Sequence, residues 1–175
     1  MNNNAISSKA GTRFLLQVQS TLILLVSACL LPFVVHMIPP YQGIPMGAFL
    51  LPMFYVPFIA VVFYRLSLGL VIAALAPLAN FLVAGSPDWQ FITVLTFELI
   101  VFTYFAFLLL QTSWKTVAAP LGYLLAKTVS SSMLFIVQIL PVSPLEFFKN
   151  SVVNGAAGIV VLLLLNWVLI KKWPK

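Results

Sequence analysis

Residues 14–64 read FLLQVQSTLILLVSACLLPFVVHMIPPYQGIPMGAFLLPMFYVPFIAVVFY, without one Asp, Glu, Lys or Arg. A single bilayer crossing takes about 20 apolar residues, so a stretch this long has to cross, turn and cross again. The turn is visible in His36-Met-Ile-Pro-Pro-Tyr-Gln-Gly-Ile-Pro45, where three prolines and a glycine stop helix propagation. The rest of the chain repeats the pattern. It is 62% hydrophobic and 7% charged, with a mean hydropathy of +1.12, which leaves too little polar surface to coat a water-soluble globule. We therefore expect an all-α integral membrane protein, one membrane domain over residues 1–175.

Six spans are expected at about 14–38, 47–64, 66–84, 91–112, 116–140 and 150–170, separated by Arg65, by Gly85-Ser-Pro-Asp-Trp89, by Trp114-Lys115 and by Pro141-Val-Ser-Pro144. The polar N-terminus is short and the first apolar run is too long for a signal peptide, so it reads as a retained helix. With both termini in the cytoplasm, Lys9, Arg13, Arg65, Lys115, Lys171, Lys172 and Lys175 fall inside and Lys149 alone outside, as the positive-inside rule asks. The net charge of +6 is thus a topology signal, with anionic-lipid contact secondary; no nucleic-acid partner is expected. The single Cys29 lies in the first span, which excludes an intrachain disulfide and a cysteine-built metal site.

Two ionisable residues, Glu98 and Lys127, stand inside long apolar runs. A charge at membrane depth costs at least about 2.5–3.5 kcal/mol, so such residues face a cavity or a partner. Helical spacing puts Tyr123, Lys127, Ser131 and Gln138 on one stripe of the fifth span, with Ser130 beside it. Glu98 shares its face with Phe91, Val94, Leu95, Val101, Phe102 and Phe105. Gly69, Ala73, Ala76 and Asn80 in the third span, and Ser151, Gly155 and Gly158 with neighbouring Asn154 in the sixth, form small-residue stripes that predict close packing between those two spans. Asn80, Glu98, Gln138 and Asn154 fall in the outer half and Lys127 deeper, which describes a cup open to the outside. Trp89, Tyr41 and Gln42 are candidates for its rim.

Each residue also has a plainer reading. Glu98 and Lys127 either meet a ligand or hold one another; Asn80 and Asn154 either contact ligand or bond between helices. Trp89, Trp114, Trp167 and Trp173 suit the headgroup level, with Trp89 also placed to stack on a ligand. His36 is expected to cap the outer end of the first span, and Arg65 to set topology. No catalytic role is expected. One histidine, one cysteine and three acids are scattered along the chain without a nucleophile–base pair on one face, and no phosphate-cradling loop is present. No metal or cofactor is expected in this chain.

The stretch Gly47-Ala-Phe-Leu-Leu-Pro-Met53 with Pro57, then Gly69, Pro77-Leu-Ala-Asn-Phe-Leu-Val-Ala-Gly-Ser-Pro87 and Phe97-Glu98-Leu99, resembles the substrate-binding S components of energy-coupling factor (ECF) vitamin transporters. The resemblance covers roughly residues 40–105; elsewhere it extends to span count and size. It implies an S-component-like bundle that captures a vitamin or vitamin precursor from outside a prokaryotic cell. It also implies docking to a transmembrane coupling subunit with two ATPase subunits that use ATP. It would place the Gly85-Ser-Pro87 turn over the site and Glu98 inside it. Beyond the stretch that carries the resemblance, Lys127 is expected to neutralise an anionic group of the ligand. Two other functions fit the composition: a non-transporting scaffold, in which Glu98 and Lys127 lock together, and a small proton-coupled carrier using Glu98.

Overall fold

The computed structural model describes residues 3–84 and 88–171. Among the described residues eight α-helices follow in order: α1 (Asn3–His36), α2 (Met46–Leu50), α3 (Tyr55–Phe63), α4 (Leu66–Ala84), α5 (Trp89–Leu110), α6 (Ala118–Ile136), α7 (Pro144–Asn154) and α8 (Ala156–Ile170). Among the described residues three stretches are long and apolar enough to cross a membrane: Val18–His36, Trp89–Leu110 and Ser113–Ile136. A fourth is added if α7 and α8, bent by 60° at their junction, count as one. The outward faces carry what such a protein shows to lipid, with Leu22, Leu82, Phe135, Ile136 and Leu164 all more than half exposed. Lys172, Trp173 and Lys175 lie outside the described residues.

The break after α1 follows the expectation. His36 Nδ1 sits 2.7 Å from the carbonyl oxygen of Pro32 and caps the helix end. The chain then reverses through a two-residue turn in which Tyr41 and Ile44 exchange backbone hydrogen bonds of 3.1 and 2.9 Å. Gln42 (φ 51°) and Gly43 (φ 81°) both take positive φ there, the geometry a tight hairpin demands. Tyr41 packs on Phe49, with ring centroids 5.7 Å apart, and both Tyr41 and Gln42 are exposed on this turn.

The stretch 47–64 departs from a single continuous span. Helix α2 stops at Leu51, which lies in the left-handed region at φ 56°, ψ 41°, and a 3-10 turn over Pro52–Phe54 leads into α3. A residue that precedes proline is sterically pushed out of the right-handed helix, so Leu51-Pro52 is where the break falls. The hydroxyl of Tyr55 donates to the carbonyl of Leu50 and satisfies one group the break leaves open.

Helix α5 is the spine of the bundle, flanked by α4 and α6 and backed by α3. Below α2 its Phe102 meets Phe54 edge to face at 5.1 Å, and Phe54 meets Tyr123 of α6 in the same way at 5.0 Å. A second cluster, Leu24 and Ala28 with Val56, Ala60, Ile72 and Ala76, joins α1 to α3 and α4. The two small-residue stripes are not each other's partners, contrary to the expectation. Gly69 of α4 backs onto Val61 and Thr103, whereas Gly158 of α8 lies against Leu50 and Leu51. Small residues license close approach to any helix that arrives; they do not say which.

Near the C-terminal end of α8, Asn166 is fully buried and bonds three backbone groups of the segment 115–119. Its Oδ1 accepts from the Ala119 amide at 3.0 Å, and its Nδ2 donates to the carbonyls of Lys115 (3.0 Å) and Thr116 (2.7 Å). The amide group thereby caps the first turn of α6, whose N–H groups have no partner within their own helix. Asn166→Leu is expected to lower stability by about 1–2 kcal/mol through the orphaned backbone groups. A thermal unfolding midpoint in detergent equal to that of the unaltered protein would contradict this.

Candidate functional site

Glu98 and Lys127 face each other across the α5–α6 interface. Lys127 Nζ donates to both carboxylate oxygens of Glu98, at 2.8 and 2.7 Å, and Ser130 Oγ donates to Oε1 at 2.7 Å. Both charged residues are buried, at 1% and 6% exposure. The geometry follows from helix periodicity. Lys127 and Ser130 are three residues apart on α6 and so share a face, which lies toward the Glu98 side of α5. Ser130 had shown in the sequence as a neighbour of the polar stripe; the structure promotes it to a direct partner of the acid.

Two aromatic rings close the remaining sides. Lys127 Nζ lies 4.6 Å from the centroid of Phe147 and 5.8 Å from that of Tyr123. A desolvated ammonium against such a ring gains up to about 2 kcal/mol. Phe147 belongs to α7, a segment from which the sequence offered no signal for the site. Helix α7 begins where Ser143 Oγ accepts the Glu146 amide at 3.2 Å while donating to its carboxylate at 3.0 Å, with Pro144 at the first helical position. Its inward side presents Phe147; Leu145, Glu146, Lys149 and Asn150 are exposed. Helix α7 is thus a short amphipathic cover over the ion pair.

Tyr123 is fully buried, and its hydroxyl donates to the carbonyl of Ser151 at 3.0 Å. The same carbonyl accepts the Gly155 amide at 3.1 Å. A Cβ at Gly155 would fall 2.6 Å from that oxygen and 3.1 Å from the tyrosine hydroxyl. Glycine is what lets α7 end, the chain bend and Tyr123 reach across. Ser131, one turn beyond Lys127, is 6% exposed, and its Oγ is the one buried side-chain polar atom without a hydrogen-bond partner among the described residues.

The expected site residues divide. Glu98, Lys127, Tyr123 and Ser131 come together, and Asn154 ends the covering helix. Asn80 is buried in α4, which packs on α1, α3 and α5 instead of α6. Trp89 is 60% exposed at the start of α5 and meets Phe81 at 5.8 Å. Nine residues separate it from Glu98, about half a turn around the helix and about 13 Å along it, so it stands outside this cluster. Gln138 is exposed beyond the end of α6, which stops at Ile136 instead of running to 140. The aromatic wall is rotated too: Phe91 is exposed, and Ile92, Leu99, Thr103 and Ala106 take the buried face with Val94, Glu98 and Phe102. The Gly85-Ser-Pro87 turn lies outside the described residues.

Among the described residues no group of three or more His, Cys, Asp or Glu side chains is placed to hold a metal ion. Comparison with protein-family models, with curated proteins and with solved structures returned no match.

Proposed function

We propose that the chain is a substrate-binding membrane subunit of the ECF kind, which captures a vitamin-like solute from outside and is energised by ATP hydrolysis on partner chains. The observation that carries this reading is the buried Glu98–Lys127 pair roofed by α7, with the Ser131 hydroxyl left unpaired beside it. A buried ion pair is a poor stabiliser, since well-packed apolar residues of similar volume do as well or better. A pair whose partners are this exchangeable suits a site that gives up one set of contacts for another. A ligand that parts Glu98 from Lys127 has to offer each a partner of opposite charge or a set of hydrogen bonds, which favours a solute carrying both an acidic and a basic or donor-rich group. Tyr123 and Phe147 supply stacking surfaces for its ring.

The proposed membrane arrangement has six crossings with both termini in the cytoplasm. Helix α4 has 19 residues, a rise of about 28 Å, close to the about 30 Å of a hydrocarbon core. Helices α2 and α3 together with the 3-10 turn make one broken crossing, and α7 with α8 another. Lys115 and the end of α8 meet at one end of the bundle through Asn166. Lys171 there covers the ring of exposed Trp167 at 3.8 Å, as cations and indoles do at a headgroup layer.

Ser131→Ala provides the test. Removing an unsatisfied buried hydroxyl is expected to raise the stability of ligand-free protein by about 1 kcal/mol. If the hydroxyl serves the solute, the same change lowers the amount of small molecule that co-purifies, read by mass spectrometry of the denatured extract. No small molecule from either protein would sink the capture reading. The closed pair also fits a structural scaffold, which binds no solute. A proton-coupled carrier working through Glu98 would instead take up solute in liposomes that contain no ATPase.

A further inference from the structure

A crevice of about 630 Å³ opens on the other side of the bundle, between α1 and the α3–α4 junction. Leu16 and Leu22 of α1, Phe63 at the end of α3 and Val71 of α4 supply apolar walls, all of them exposed to the surroundings; Arg65 and Ser67, with Ser20 and Thr21 of α1, supply polar ones. In the proposed six-crossing arrangement its depth is set by the reversal of the chain between α3 and α4 at Tyr64-Arg65, which brings this end of both helices to the boundary between hydrocarbon and headgroups.

Among the described residues no acidic side chain pairs with Arg65. The protein has three acids. Glu98 is taken by Lys127, Glu146 sits with Ser143 at the start of α7, and Asp88 precedes α5 beyond the far end of α4. A guanidinium at the headgroup level, at the mouth of a cleft whose walls are aliphatic and aromatic, matches an acyl chain below and a phosphate above.

We infer that this crevice is a binding site for one anionic phospholipid, with its phosphate on Arg65 and an acyl chain along Leu16, Leu22, Phe63 and Val71. The inference is independent of the solute site. The test is native mass spectrometry of the full-length protein in detergent, supplied with equal amounts of phosphatidylglycerol and phosphatidylcholine of the same chain length. Phosphatidylglycerol should be retained about fivefold over phosphatidylcholine, the discrimination expected of a single cation near the surface. Arg65→Gln should bring the ratio to about one, whereas Lys115→Gln, outside the crevice, leaves it unchanged. Val71→Trp, an exposed position that fills the crevice without touching the charge, should reduce retention of both lipids. Equal retention of the two lipids by the unaltered protein would overturn the assignment. So would an equal loss in the Arg65 and Lys115 variants, or full retention in Val71→Trp.

Discussion

Lys127→Met is expected to destabilise the protein by about 3–5 kcal/mol, the cost of leaving a buried carboxylate without its counter-charge. Glu98 would keep the single hydrogen bond from Ser130 and lose two from the ammonium. The double variant Glu98→Met/Lys127→Met is expected to recover most of that loss, because two apolar side chains of similar reach replace two charges that each had to be desolvated. The measurement is the unfolding midpoint and the monodispersity of each protein in the same detergent. A single variant as stable as the unaltered protein would show that the acid is not isolated from water at all. Solute binding separates the two roles of the pair: a ligand site is lost in the stable double variant, whereas a purely structural pair leaves every other property of the protein intact.

Gly158→Ala is expected to cost about 3 kcal/mol or more, at the upper end of overpacking effects. The added methyl would lie 2.6 Å from Leu51 Cγ, 2.7 Å from the Leu50 carbonyl carbon and 2.8 Å from its oxygen. Two of these three atoms are backbone of Leu50, the last residue of α2, next to Leu51 in the left-handed region, so neither side has an easy way to yield. Ala156→Val, on the exposed side of the same helix, should stay within about 0.5 kcal/mol of the unaltered protein. Comparable losses at both positions would mean that α8 is sensitive to bulk in general and that the contact with α2 is unimportant.

The site was partly legible in the residues. Glu98 and Lys127 announce themselves because a charge in an apolar run is costly wherever the helix points. Tyr123, Ser130 and Ser131 follow from Lys127 by spacing alone, being on the same helix. Phe147 was not legible, since an aromatic residue in a segment rich in prolines and polar groups reads equally well as loop. Trp89 was grouped with the site as a rim residue of an outer loop, which leaves open the angle around α5, and Gln138 by helical spacing carried past Ile136, where α6 stops. The small-residue stripes were identified correctly as close-approach surfaces and matched to the wrong neighbours, for the same reason.

By itself the sequence determined the solvent, the helical class, the main reversals at Pro39–Pro45 and Arg65, and the fact that two charges would have to be satisfied inside. These are properties of a window of residues: apolar content, proline and glycine placement, the cost of a charge in hydrocarbon. The tertiary structure alone decided that the charges satisfy each other, that α7 folds over them, that the helix breaks at Leu51 and that Gly158 meets it there. Those outcomes depend on the rotation and spacing of helices far apart in the chain. They are settled by which side chains interlock when the bundle closes, and no local pattern records that.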